Sequence, residues 1–191
     1  MKKVMILAVM MVASLTASAQ WSVTPKVGFN LANITNADDA SMRFGLVAGA
    51  DLTYRVSQPF AISVGAFYSM QGAKENVKID GVKVEEKANL DYINLPILAN
   101  VYVVPGLAIK AGIQPGFNVK HKAKVESQGY SYEGDIEDFN SFDLSIPFGL
   151  SYEISDFVID ARYNLGLTKL IDEEKSKNSV FQFTVGYKIP L

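Results

Sequence analysis

Ten charged residues lie within stretches of the sequence that are otherwise apolar, small or uncharged. They are Lys26, Arg43, Asp51, Arg55, Lys110, Asp143, Glu153, Asp160, Arg162 and Lys188. An isolated charge in apolar surroundings is costly, so such residues must pair with opposite charges or line a passage for water and ions. Both signs are present. The set therefore predicts either a network of paired charges or a path for ions and small solutes.

His121, the one histidine, suggests a different chemistry. Glu126, Ser127, Ser131 and Glu133 follow it closely. A histidine with a serine and an acid can form the triad of a hydrolase, for which membrane lipid is the candidate substrate. Triads are defined by geometry, which this spacing does not fix. A solvated loop histidine is the preferred interpretation, so we predict no catalytic residue. An outer-membrane lipid hydrolase is the least favoured of the three functions that the sequence suggests.

Carboxylates also gather between the alternating stretches described below. They are Asp38, Asp39, Asp135, Glu137, Asp138, Asp172, Glu173 and Glu174. Divalent cations take oxygen ligands, but the spacing of an EF-hand loop is absent. The chain has no cysteine, which excludes thiolate metal sites and disulfides. We predict neither a metal site nor a cofactor.

Eight segments alternate between apolar and polar or small residues, which is typical of β-strands with two different faces. They lie near residues 21–31, 43–55, 60–71, 92–102, 107–119, 142–152, 157–167 and 181–191. Each has about 10 to 13 residues, close to the length of a tilted membrane-spanning strand and longer than most strands of soluble proteins. Their polar faces carry the ten charged residues beside many glycines, as suits a narrow and crowded barrel interior.

Composition and loop lengths agree with this interpretation. The chain is 49% hydrophobic with a mean hydropathy of +0.13, yet no apolar run after residue 19 approaches the length of a membrane-spanning helix. Short turns at 56–58, 104–106 and 154–156 alternate with long polar stretches near 32–42, 72–90, 120–140 and 168–178. Outer-membrane barrels have short periplasmic turns and long external loops. We predict an all-β, eight-stranded, antiparallel, up-and-down transmembrane β-barrel.

The N-terminal segment has the features of a cleaved secretory signal. Lys2 and Lys3 precede an apolar stretch, and Ala17-Ser18-Ala19 is similar to a signal-peptidase site. We predict cleavage after Ala19, which gives a signal peptide at 1–19 and a barrel domain at 20–191 in the cell outer membrane. The remaining chain has 16 basic and 20 acidic residues. No run of basic residues is present, so nucleic acid is not an expected partner.

Four segments carry motifs that resemble a known family, namely Pro25–Ala32, Asp91–Leu98, Ala111–Gly116 and Ala161–Thr168. They resemble the outer-membrane β-barrel proteins of Bacteroidetes in the PorT-like group, often labelled the porin family. Thr184, Gly186, Ile189 and Leu191 are similar to the C-terminal signal for barrel assembly, with Leu191 in place of the usual aromatic residue. The resemblance implies a barrel in the outer membrane, with outer-membrane lipid and the barrel assembly machinery as partners. It implies no particular activity.

Two of the long loops contain further alternation. Val77, Ile79, Val82 and Val84 flank Asp80-Gly81, a strong hairpin signal, and Tyr130 and Tyr132 follow Gln128-Gly129. We predict an extracellular ribbon at these positions. Its open edge and aromatic residues can serve contact with an extracellular or envelope protein, or the ribbon can simply shield the barrel mouth.

The barrel size decides between the two interpretations of its charges. An eight-stranded barrel is about wide enough to be filled by its own side chains. We therefore predict a filled polar lumen with a charge network, in an integral outer-membrane protein with a structural or surface-interaction role. A narrow channel for ions or small solutes is the alternative.

Overall fold

A computed structural model of the chain describes residues 20–35, 41–79, 82–127, 130–135, 140–170 and 176–191. The predicted signal peptide lies outside these residues. So do most of the loop carboxylates and the turn of the predicted ribbon, namely Asp38, Asp39, Asp80, Gly81, Glu137, Asp138, Asp172, Glu173 and Glu174. Within the described ranges, no helix is long and apolar enough to cross a membrane.

The described residues form eleven strands. In chain order they are β1 (Trp21–Thr35), β2 (Ser41–Ser57), β3 (Phe60–Ile79), β4 (Val82–Asn94), β5 (Ile97–Val104), β6 (Leu107–Ser127), β7 (Tyr130–Asp135), β8 (Phe142–Ile154), β9 (Phe157–Gly166), β10 (Lys177–Tyr187) and β11 (Ile189–Pro190).

All but β7 form one closed antiparallel barrel with eight wall strands, as predicted. Each wall strand pairs with its neighbours in sequence, and β1 closes the ring by pairing with β10. β4 and β5 are two parts of one wall strand, interrupted at Leu95 and Pro96, and β10 and β11 are two parts of the last one. β7 pairs with β6 outside this ring. Proline has no N–H to donate. The ladder continues past it because Leu95 N donates to Pro115 O and Gly65 N donates to Pro96 O, both at 2.8 Å.

The two faces of the wall are reversed relative to a soluble barrel. Large apolar side chains point outward, such as Val27, which is 65% exposed, and Phe44, which is 60% exposed. Polar side chains such as Asn30, Asn100 and Gln182 are buried inside. An apolar exterior of this kind is suited to contact with lipid, and a closed ring leaves no unpaired edge within the barrel wall.

One end of the barrel carries the short turns after β2, β5 and β8 and is called the turn end below. Gly106 (φ 83°) and Ser155 (φ 54°) take left-handed conformations there, as tight turns require. Aromatic rings pack in pairs on the outside of this end: Trp21 with Tyr54 at 4.7 Å and Phe157 with Tyr187 at 5.4 Å between ring centroids. Such pairs are typical of the aromatic girdle of a membrane barrel.

At the opposite end four strands extend beyond their neighbours. Within the described residues, β2 pairs with β3 as far as Lys74, whereas β3 and β4 pair out to Ile79 and Val82. β4 then pairs with β6, and β6 with β7. This protruding sheet consists of residues 74–79, 82–88, 120–127 and 130–135. The stretches expected as long polar connections at 72–90 and 120–140 are therefore paired strands over most of their described length, and the residues of the predicted ribbon lie within them.

Candidate functional site

Five of the ten predicted lumen charges meet inside the barrel. Lys26, Asp51, Lys110, Asp160 and Arg162, the lumen cluster, come from β1, β2, β6 and β9, and their side chains are between 0% and 9% exposed. Glycines on neighbouring strands make room for the long cations. Lys26 lies opposite Gly49 and Gly186, and Gly149 lies opposite both Lys110 and Arg162.

Asp160 is the centre of the lumen cluster. Its carboxylate accepts hydrogen bonds from Lys110 Nζ at 2.6 Å, Arg162 Nε at 2.9 Å and Lys26 Nζ at 3.1 Å. Asp51 Oδ2 lies 2.8 Å from Lys26 Nζ and 3.9 Å from Arg162 Nη2. Two carboxylates thus serve three cations in a site with almost no contact with solvent. Loss of one partner in such a buried arrangement leaves uncompensated charge.

A second group lies nearer the turn end. Glu153 accepts hydrogen bonds from Tyr102 Oη at 2.5 Å and from Lys188 Nζ at 2.7 Å. The Arg55 guanidinium stacks over the Tyr102 ring at 3.6 Å, and its Nη2 lies 4.0 Å from Glu153 Oε2. Arg55, Tyr102, Glu153 and Lys188 are called the mouth cluster. Tyr102 was not predicted as a member of the charge network, and the available signal was its position on the polar face of its strand.

The space around the two clusters is unevenly filled. A cavity of about 20 Å³ lies between them, lined by Lys26, Lys110 and Glu153 among others, which is room for about one water molecule. Beyond the mouth cluster, a more open pocket of about 650 Å³ is lined by Arg55, Tyr102 and the 103–106 turn. The lumen is therefore accessible at its turn end and closely packed at the lumen cluster.

Neutral side chains continue the filling on the other side of the lumen cluster. The Phe67 ring is buried, lies 5.5 Å from the Arg162 guanidinium and covers Gly49 and Gly65. A Cβ added at Gly65 would lie 2.7 Å from that ring, so the glycine is needed for its approach. Asn30, Ser69 and Gln71 form a hydrogen-bonded group, and Asn178 donates to Tyr92 Oη at 3.1 Å.

The remaining two predicted charges lie apart from both clusters. Arg43 donates to the carbonyl oxygen of Gln71, and Asp143 accepts a hydrogen bond from Thr168 Oγ1 at 2.5 Å. The ten residues are thus divided among the lumen cluster, the mouth cluster and this far region. The ten residues therefore do not form one continuous network. Strand register places them at different heights along the barrel axis.

The predicted hydrolase residues lie on the protruding sheet or near it. His121 belongs to β6, opposite Leu90, so its assignment to a loop was wrong. Its Nδ1 lies 3.0 Å from Asn118 Oδ1. Glu126 pairs in register with Ser131, Ser127 with Tyr130, and Lys124 with Glu133. Among the residues that the structure describes, no group of three or more His, Cys, Asp or Glu side chains is placed to hold a metal ion.

The predicted ribbon and assembly residues fall on paired strands. Val77 lies opposite Val84, Ile79 opposite Val82, and Tyr132 opposite Val125. At the C-terminus, Thr184 and Gly186 face the lumen on β10. Ile189 pairs with Val23 of β1, and Leu191 N donates to Trp21 O at 3.0 Å. The last residues therefore complete the seam that closes the barrel.

A closed antiparallel ring with an apolar exterior and a polar, filled interior defines the class of outer-membrane β-barrels. Residues 13–172 match the family model described as the outer membrane protein beta-barrel domain. The chain belongs to this family, and its location is the outer membrane. A search of curated protein sequences finds no significant match.

Solved structures share the fold at low sequence identity. The chain is similar to Ail, the attachment invasion locus protein of Yersinia pestis, in complex with the heparin analogue sucrose octasulfate. The identity is 14%, the TM-score is 0.53, and the match covers 89% of this chain and 99% of Ail. Ail of Yersinia pestis in a phospholipid bilayer nanodisc matches with 16% identity, a TM-score of 0.52 and the same coverage. These similarities show the fold alone.

Proposed function

We propose that the protein is a filled outer-membrane barrel with a structural and surface-interaction role, neither a diffusion porin nor an enzyme. The lumen cluster is the observation that carries this proposal. Its five side chains are held by one another and almost fully removed from solvent. Solute passage requires a water-filled path, and a cluster of mutually paired side chains across a narrow lumen leaves little room for one.

In the proposed orientation the turn end faces the periplasm and the protruding sheet faces outward. Short turns at one end and long strands at the other are typical of bacterial outer-membrane barrels, in which both termini are periplasmic. The barrel assembly machinery receives the chain through the C-terminal segment that includes Thr184, Gly186, Ile189 and Leu191. The signal peptide is cleaved after Ala19. A mature protein that does not begin at Gln20 in N-terminal sequencing would correct the cleavage site.

The protruding sheet is the part of the protein suited to contact with another molecule. Among the described residues, β3 has no β2 partner beyond Lys74, and β7 pairs on one side with β6. Unpaired strand edges can accept a strand from an extracellular or envelope protein. The same sheet extends the barrel wall beyond the lipid-facing band, and a contribution to envelope integrity is the other role that we propose for it.

Conductance measurement separates the proposed role from a channel. The full mature chain in planar bilayers is expected to give no reproducible solute-dependent steps. The pocket at the turn end and the small cavity behind it favour a narrow ion path as the second candidate. Reproducible conductance steps would establish that candidate instead, if their reversal potential depends on the ions present and is altered in Lys110→Gln.

A deletion strain tests the surface role. Loss of the protein is expected to raise sensitivity to detergent, and the full chain to restore resistance. A chain shortened at the tip, without residues 76–85, should reach the outer membrane as a heat-modifiable barrel but fail to restore resistance. Full restoration by the shortened chain would refute a role for the protruding sheet. Lipid turnover that disappears in His121→Ala would instead support the hydrolase.

We also propose that the chain falls within the PorT-like group of Bacteroidetes barrels. The support is the set of motifs along the wall, which lie on β1, the β4–β5 break, β6 and β9. Phylogenetic placement of residues 20–191 among outer-membrane barrels tests this assignment. Consistent grouping with barrels of another phylum would overturn it.

A further inference from the structure

The charged side chains in the turn-end half of the lumen do not balance. The lumen cluster has three cations and two carboxylates, and the mouth cluster adds the cations Arg55 and Lys188 with one carboxylate, Glu153. Together the two clusters have five positive and three negative side chains, an excess of two positive charges. Excess charge that is shielded from water is costly unless an opposite charge lies close to it.

Other acidic side chains lie too far away to offset this excess. In the described part of the chain, the five cations form ion pairs with these three carboxylates alone. Asp143 is six residues along β8 from Gly149, which lies opposite Lys110, so it is about 20 Å away along the strand. Asp91 lies nearer still to the protruding sheet. Asp156 is exposed on a turn and accepts a hydrogen bond from the outer wall.

Two lysines of the clusters have more donors than acceptors. An ammonium group has three N–H donors. Within the described ranges, Lys110 Nζ donates to one acceptor, Asp160 at 2.6 Å, and Lys188 Nζ donates to one, Glu153 at 2.7 Å. Lys110 is only 7% exposed, so bulk water contributes little to it. Because buried donors are nearly always paired, the other donors of Lys110 need an acceptor inside the lumen.

The cavity of about 20 Å³ between the two clusters adjoins these lysines. Lys26, Lys110 and Lys188 all line it. Four hydroxyl side chains line it as well, namely those of Ser22, Thr24, Thr53 and Ser151. A cavity of this volume holds one particle about the size of a water molecule. The lining is therefore rich in hydrogen-bond donors around a single small binding position.

Two carboxylates also line the cavity, and each is already in contact with a cation. Asp51 Oδ2 lies 2.8 Å from Lys26 Nζ, and Glu153 accepts hydrogen bonds from Tyr102 and Lys188. Their charge is included in the count above, so the excess remains positive. A small anion accepts hydrogen bonds from ammonium and hydroxyl groups and offsets one of the two excess charges. A water molecule in the same place would offset none.

We propose that the cavity between the lumen cluster and the mouth cluster binds one small monovalent anion of the halide class. The anion enters from the turn end, because Tyr102 and Glu153 line both this cavity and the open pocket beyond it. The site goes beyond the proposed function and is compatible with it, since an anion that enters and leaves at the turn end does not cross the lumen cluster. Failure of the anion site would leave the filled barrel unaffected.

The test is urea unfolding of the full mature barrel in sodium chloride and in sodium gluconate at equal ionic strength. Gluconate is a monovalent anion too large for this cavity, so the two salts differ in occupancy of the site and not in screening. An anion bound by the folded state alone stabilises it. Each tenfold rise in chloride above the dissociation constant should lower the unfolding equilibrium constant about tenfold.

Three variants make the test specific to the cavity. Lys110→Met removes one excess charge and its donors, and it should show no stabilisation by chloride relative to gluconate. Arg43→Met is the matched control, because it removes a lumen cation from the far region, and it should respond to chloride as the wild type does. Glu153→Gln raises the excess charge and should lower the chloride concentration at half saturation. Heat-modifiable migration verifies that each variant is a folded barrel.

Two results of the unfolding experiment would overturn the proposal. Equal stability of the wild type in the two salts would mean that the cavity holds water, or that a lysine has lost its proton. An undiminished chloride response in Lys110→Met would place the anion elsewhere. Crystals of the wild type soaked in bromide keep the proposal testable if Lys110→Met does not fold. An anomalous scattering peak is expected between Lys110 and Lys188, and its absence would refute the site.

Discussion

The lumen cluster and the protruding sheet use charged residues in opposite ways. In the lumen cluster, cations and carboxylates meet within 2.6–3.1 Å across the barrel and are hidden from solvent. In the protruding sheet, register places lysine opposite lysine, and glutamate opposite glutamate at Glu75 and Glu86. A buried charge must be matched by its own protein. At a surface, water, salt and lipid can supply the match. An interior charge must therefore be matched within the lumen, whereas an exterior charge need not be matched by the residue directly opposite it.

Removal of Asp160 from the lumen cluster should lower the free energy of unfolding the most. Asp160→Ala leaves Lys26, Lys110 and Arg162 with Asp51 alone, and loss of one partner from a buried ion-pair group costs about 3–5 kcal/mol. We expect a large fall in the urea concentration at which the purified barrel unfolds. Asp156→Asn, a change in an exposed turn, is the control. An unfolding midpoint equal to that of the wild type would show that the lumen cluster does not hold the barrel together.

Overpacking of the neutral side chains beside the lumen cluster should cause the next largest loss in the free energy of unfolding. Gly65→Val places new atoms against the Phe67 ring and Asp51, and overpacking of a filled interior costs about 1–3 kcal/mol. Ala66→Val, on the outward face of the same strand, should have little effect. Urea unfolding in detergent measures both. The double variant G65V/F67A should recover part of the loss. Purely additive losses would contradict direct contact between the two positions.

Tyr102→Phe tests the mouth cluster, which is only partly buried. It removes the hydroxyl that donates to Glu153 but keeps the ring under Arg55. Lys188 still pairs with Glu153, so we expect a loss of about 1 kcal/mol in the free energy of unfolding. Tyr152→Phe, on the outward face, is the matched control. If both variants lose equally, the hydroxyl contact with Glu153 does not contribute.

The smallest change in stability is expected from a charge reversal in the protruding sheet. Lys78 lies opposite Lys83, so Lys78→Glu converts an opposed pair of like charges into a pair of opposite charges. Such a cross-strand pair gains about 0.2–1 kcal/mol, and added salt reduces the gain. Hydrogen exchange of the β3–β4 amides should slow slightly at low salt while urea unfolding of the barrel stays unchanged. A change in global unfolding would show that the two regions are not independent.

Much of the barrel was predictable from local pattern. A period of two over eight long segments specifies which residues face lipid and which face the lumen, because side chains alternate strictly along a strand. That rule placed all ten charged residues on the polar face and Val27 and Phe44 outside. Within 72–90 and 120–140 it indicated hairpins about Asp80-Gly81 and Gln128-Gly129, but it did not show that the barrel strands run into them without a break, as β3, β4 and β6 do.

The sequence by itself therefore determined the strand count, the two faces and the membrane-facing surface, since these depend on the alternation of neighbouring residues. Only the tertiary structure decided which charges meet. Lys26 and Asp160 are 134 residues apart, and their contact depends on the closed ring and on the stagger between its strands. Register between strands is a long-range property, and it brings residues that are dispersed in the sequence together as the lumen cluster.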